Sequence, residues 1–133
     1  MHTLKHLGLL LVGFLSGFFA VGIPFWSVPY NEANVPDALM TAGILVVAIA
    51  ALLLRAFGAA SVWEAALIVG MSVPAAVLAR VNAETAADPT SHNLWPIEIV
   101  FASAVGLPAA LAGALVGILV AKLLACRIGH GQP

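Results

Sequence analysis

Charge is scarce in this chain. Five Lys and Arg and six Asp and Glu make up 8% of 133 residues, whereas about a quarter of a typical soluble domain is charged. With 62% of the residues hydrophobic, water cannot solvate a surface of this composition, so an ordinary soluble globular domain is excluded. Five cations without clustering also exclude a basic patch for nucleic acid. Cys126 is the lone cysteine, which rules out an intrachain disulfide, a CxxC pair, a cysteine metal cluster and paired-thiol quinone chemistry. Its place near the end of the last apolar run reads as a small polarisable residue at a helix terminus rather than a reactive or lipidated thiol. Histidine is confined to His2, His6, His130 and His92, the first three terminal and the last in a polar break, so no axial ligand for a buried haem is expected and no cofactor is implied. The middle of every apolar run is free of ionisable groups, which speaks against a proton-coupled transporter or exporter.

What the chain has instead is four long apolar runs without Asp, Glu, Lys or Arg: Leu7 to Asn31, Ala38 to Leu54, Ala65 to Ala79 and Ile99 to Ala121. A helix crossing a hydrocarbon core of about 30 Å needs roughly 17 to 25 residues. Three runs meet that length alone, and the third does once its flanks are admitted. The expected fold is an all-α integral membrane protein, one domain over 1–133, with four transmembrane helices near 7–29, 37–56, 61–81 and 96–122. Lys5, Arg55, Lys122 and Arg127 fall on one side of this topology, and by the positive-inside rule that side is the cytoplasm, so both termini lie inside. Glu32, Asp37, Glu84, Asp88 and Glu98 fall on the other. Arg80 is the exception among the cations, expected to extend its stem along the third span to the outer interface. The first span has the positive start of a signal peptide, but Phe18, Phe19 and Phe25 replace the small residues a signal peptidase requires, so a retained span is expected. With no eukaryotic sorting signal, a bacterial inner (plasma) membrane is the expected location.

The breaks carry the boundary chemistry. Between the second and third spans, Gly58 suits a left-handed helix end, and Ser61 followed three residues later by Glu64 reads as a capping box, giving a tight helical hairpin. Glu64 is therefore better explained as a cap than as a catalytic acid. Each outer break closes with an Asn, a Pro and an acid: Asn34, Pro36 and Asp37 in one, Asn93, Pro96 and Glu98 in the other. That order matches a helix start, with Asn capping amides, Pro in the first turn and a carboxylate on the positive end of the dipole. The result is two helical hairpins with similar outer loops, through convergent capping or an old duplication.

Packing signals lie in the spans. Gly13 and Gly17 form one GxxxG, Gly113 and Gly117 another, and Gly106 extends the second stripe, so these glycines are expected to let helices approach closely, within the bundle or in a homo-oligomer. Pro74 and Pro108 predict kinks. The outer rim is the one place where polar groups gather. Asn34, Asp37, Asp88, His92, Asn93 and Glu98 form a weak candidate site: carboxylate and amide oxygens suit a hard cation and His92 with a carboxylate a softer one, though no ligand spacing matches a defined motif. The competing reading is a solvated acidic rim that caps helices. Besides the lipid bilayer, the partners expected are a second copy or a larger membrane complex. The function expected is a non-catalytic accessory or assembly subunit of a membrane complex. The alternative is an oligomeric channel or facilitator for small solutes or cations with an acidic outer vestibule, lined by Thr41, Ser16, Ser72 and Ser103. An enzyme working through the loop carboxylates and His92 is the third reading.

Overall fold

A computed structural model describes residues 1–32 and 35–129. The described residues are helical, without strands. Helix α1 runs His2–Ser27; after a 3-10 turn over Tyr30–Glu32 come a short α2, Val35–Leu39, and α3, Ala42–Ala56. Helix α4 is Val62–Ala87 and helix α5 is Trp95–Gly129. Helices α1, α4 and α5, of 26, 26 and 35 residues, are long and apolar enough to cross a membrane. The chain is thus an all-α protein with the marks of an integral membrane protein. The second expected span, 37–56, is divided. Thr41 stands in an extended conformation and accepts from the Gly43 amide at 3.3 Å, which starts α3 at Ala42 and leaves it 15 residues long.

Paired contacts set the helix directions. A side chain on Gly13 of α1 would meet Leu54 and Val69, and one on Gly17 would meet Val47 and Ser72, so α1 runs against α3 and alongside α4. Gly113 of α5 lies on the Ala48 backbone and Gly117 on Leu52, so α5 and α3 run the same way. The core between them is small-residue packing around Val21, Phe25, Val47, Ala51, Val69, Val73, Val77, Ala102 and Ala110, all nearly fully buried. With lipid as apolar as leucine, close backbone approach and dispersion hold such helices together. A Cβ on Gly117 would lie 2.6 Å from the Leu52 carbonyl, closer than any side chain tolerates.

Two helix prolines explain two of these glycines. Proline lacks an N–H for the carbonyl one turn earlier, so Pro24 leaves the Ala20 carbonyl without its regular donor and Pro74 does the same to Gly70. Gly43 of α3 sits directly on the Ala20 carbonyl, and Gly106 of α5 on that of Gly70, where a Cβ would come within 2.5 Å of the oxygen. The neighbouring glycine thus makes room for each carbonyl. Close Cα–H approach of this kind offers a weak hydrogen bond where an amide is missing. Ahead of Pro74, residues Ala65–Val69 form a π-helical turn.

The turn between α3 and α4 follows its sequence closely. Gly58 has a φ of +68°, the Ala59 amide donates to the Leu54 carbonyl at 2.9 Å and the Gly58 amide to Arg55 at 3.2 Å, the paired bonds of a Schellman stop. Ser61 then accepts from the Glu64 amide while the Glu64 carboxylate takes the Ser61 amide at 2.8 Å, so the capping box is present. His6 Nδ1 lies 2.7 Å from the Ala59 carbonyl and ties the start of α1 to this turn.

Candidate functional site

The site begins with a helix that is made to stop. Pro29 forces the residue before it out of the helical region, and Val28 is extended at φ −81°, ψ 127°. The last carbonyls of α1 lose their regular donors there, the Phe25 carbonyl keeping a long bond of 3.4 Å from the Val28 amide, and no basic residue in the last turn of α1 covers them. Arg80, from the neighbouring α4, supplies the donors. Its Nη1 donates to the Phe25 carbonyl at 2.6 Å, its Nη2 to Val28 at 2.7 Å and its Nε to Glu84 Oε1 at 2.8 Å, and the guanidinium lies 4.7 Å from the centre of the Phe25 ring. A positive group at a helix C-terminus also complements the dipole. Arg80 is therefore 5% exposed. Its stem does run along its helix toward Glu84, one turn on, as its position suggested, but the guanidinium is buried against the end of α1 instead of reaching solvent.

The network continues from Glu84 into the loop between α4 and α5. Asp88 shapes this loop: its Oδ1 accepts from the Thr90 amide at 3.0 Å and hydroxyl at 2.7 Å, and these bonds hold its carboxyl below the usual carboxylate range. Ser91 donates to the Asp88 carbonyl, and the chain reverses at His92 with φ +56°. That left-handed conformation is uncommon for a residue with a side chain and costs of order 1 kcal/mol. The reversal turns the imidazole back between α4 and α5, where it is 5% exposed. Its Nε2 contacts Glu84 Oε2, and its Nδ1 is 3.0 Å from both oxygens of Glu98 in the first turn of α5. Burial alone would push the imidazole down; the bonds to Glu84 and Glu98 outweigh it and hold the group above its ordinary value.

The residues singled out in the sequence divide accordingly. His92 and Glu98 meet, and Glu84 and Arg80, outside the candidate set, complete the cluster. Asp88 is exposed and builds the loop, and Asn93 and Asp37 are exposed. Asn34 lies outside the described residues. Pro96 and Glu98 fall in the first turn of α5, but the turn before it closes through the Trp95 amide and the His92 carbonyl at 3.0 Å. The signal that could have found Arg80 is Pro29, since a forced helix stop beside a near-membrane cation predicts the pairing. The two carboxylates flank opposite nitrogens of the His92 ring, so they do not converge on one point as metal ligands must. No group of three His, Cys, Asp or Glu suited to a metal ion occurs among the described residues.

Cavities border the helices among the described residues. A cleft of about 350 Å³ lies beside the network, lined by Trp26, Ala79, Arg80, Ala83 and Glu84, with the Trp26 indole fixed by donation to the Ala76 carbonyl at 2.9 Å. An apolar groove of about 380 Å³ runs between α1 and α3, with Leu9, Val12, Leu53 and Phe57 among its walls. The hydroxyls expected to line a conduit are bound to backbone: Ser16 to Val12, Ser72 to Val69, Ser103 to Ile99, and Thr41 to the Gly43 amide. Comparison with protein-family models, with curated proteins and with solved structures finds no match.

Proposed function

We propose that this protein is a non-catalytic accessory or assembly subunit of a larger complex in a bacterial inner membrane, crossing it four times with both termini in the cytoplasm. Helix α3, of 15 residues, spans about 22 Å at 1.5 Å per residue and is short for a crossing by itself. Its packing against α1 and α5, with α2 ahead of it, supports the fourth crossing. The distribution of Lys5, Arg55, Lys122 and Arg127 supports the orientation.

The observation that carries the subunit reading is the inner end of α5. This helix continues beyond the packed bundle, and Lys122 to Gly129 are all exposed, with Leu123 and Ile128 among the barest apolar side chains of the described residues. By contrast, the small-residue stripes of α1 and α5 are filled by this chain's own helices. Arg80, Glu84, Asp88, His92 and Glu98 bind each other and the backbone, which supports a scaffolding role for them rather than exchange with a substrate. The test is recovery of the full chain from native membrane in mild detergent. A partner in fixed stoichiometry, lost when Lys122–Gly129 is removed, supports the reading; flux of ions or small solutes through liposomes holding the purified chain alone would overturn it in favour of a channel.

A further inference from the structure

Both ring nitrogens of His92 face carboxylate oxygens, Nε2 on Glu84 and Nδ1 on Glu98. An ionised carboxylate only accepts hydrogen bonds, and a neutral imidazole has one N–H to give. Only the imidazolium donates to both. With Arg80 it also makes the cluster electrically neutral, two cations against two anions. We propose that the outer end of this protein is a protonation-set latch: imidazolium at His92 joins α4 to α5 through Glu84 and Glu98, and loss of one ring proton opens the contact to Glu84.

The direction of opening follows from the neighbours. Glu84 already holds Arg80 through its other oxygen, whereas Glu98 has its paired cation in His92 alone among the bonds above. The remaining ring proton therefore stays on Nδ1, toward Glu98, and the bare Nε2 lone pair turns on Glu84 Oε2. Among the described residues the titratable groups bonded to the ring are Glu84 from α4 and Glu98 from α5; Arg80 stands behind Glu84, and α1 offers the carbonyls of Phe25 and Val28, held by Arg80. The other acids of this face, Glu32, Asp37 and Asp88, are exposed. Because Glu84 and Arg80 also line the cleft beside Trp26, opening the contact loosens one wall of that cavity. The left-handed backbone at His92 favours release, since its strain is relieved when the loop lets go.

The sign of the effect is fixed. A histidine held above its ordinary value in the folded protein contributes stability in full below about pH 6.5, and that stability is lost as pH rises through the folded value. The latch is closed in acid and opens on the alkaline side. The experiment is ring-¹⁵N NMR of the full chain in detergent micelles between pH 5 and 9, with His92 assigned by the signal missing in His92→Gln. Expected are two protonated nitrogens at low pH, a transition above pH 6.5 and a neutral form carrying its proton on Nδ1. In Glu98→Gln the proton affinity of His92 falls roughly tenfold, as expected on losing one adjacent carboxylate. A ring that is neutral throughout, or a transition unmoved by Glu98→Gln, overturns the latch. Should His92→Gln fail to fold, Glu98→Gln and the unmodified chain still decide the question.

Discussion

The Arg80 guanidinium donates to the Phe25 carbonyl at 2.6 Å, joining α4 to the end of α1 across 55 residues of chain. A helix stopped by Pro29 and a cation buried near the end of another helix thereby answer each other's unmet needs. Removing either partner of a buried charged contact leaves the other uncompensated, which typically costs about 3–5 kcal/mol.

Arg80→Ala is therefore expected to destabilise the protein strongly, as a drop in thermal midpoint in detergent. Arg80→Lys recovers only part of the loss, because one ammonium lacks the planar fork that reaches Glu84, Phe25 and Val28 together. Full recovery with Lys would show that charge alone matters at this position.

Gly43→Ala and Gly106→Ala each place a methyl against a backbone carbonyl, of Ala20 and Gly70. Overpacking against immovable backbone costs about 1–3 kcal/mol. Gly8→Ala, with open space around it, serves as the control and leaves stability unchanged or slightly raised. Equal effects of all three on thermal unfolding would contradict the assigned helix packing.

Ser61→Ala removes one bond of the capping box at the start of α4. A lost N-cap costs about 1 kcal/mol. Amide exchange is expected to rise at Val62 to Glu64 and to stay unchanged around Arg80, so a uniform rise along α4 would place the effect elsewhere.

The proposed topology uses the native Cys126, which is exposed at the inner end of α5. A membrane-impermeant maleimide is expected to label Cys126 only after spheroplasts are permeabilised, whereas Asp88→Cys in a Cys126→Ser background labels in intact ones. Labelling of Cys126 from outside would reverse the orientation or change the number of crossings.

Much of this architecture is legible in the residues, and the parts that are not share a cause. Long charge-free runs and the order Gly58, Ser61, Glu64 act within a few residues, so the apolar helices and the tight turn between α3 and α4 follow from local chemistry. The split before Ala42 escaped because apolar character continues through Met40 while the break depends on Thr41 bonding to Gly43. The His92 cluster was legible only in part, since His92 and Glu98 were candidates but their closure with Glu84 and Arg80 was not. Glu84, His92 and Glu98 meet only because His92 turns back in a left-handed conformation, and Arg80 is buried only because α1 ends beside it. The role of Pro24 was likewise hidden, since its effect falls on Gly43 in another helix.

The account is tested most directly by purifying the full chain from its native membrane in mild detergent and measuring which proteins accompany it and in what ratio. The prediction is a distinct membrane protein at fixed stoichiometry, retained in the unmodified chain and lost on deleting Lys122–Gly129. Recovery of the chain alone, with solute flux in liposomes above empty vesicles, would contradict it.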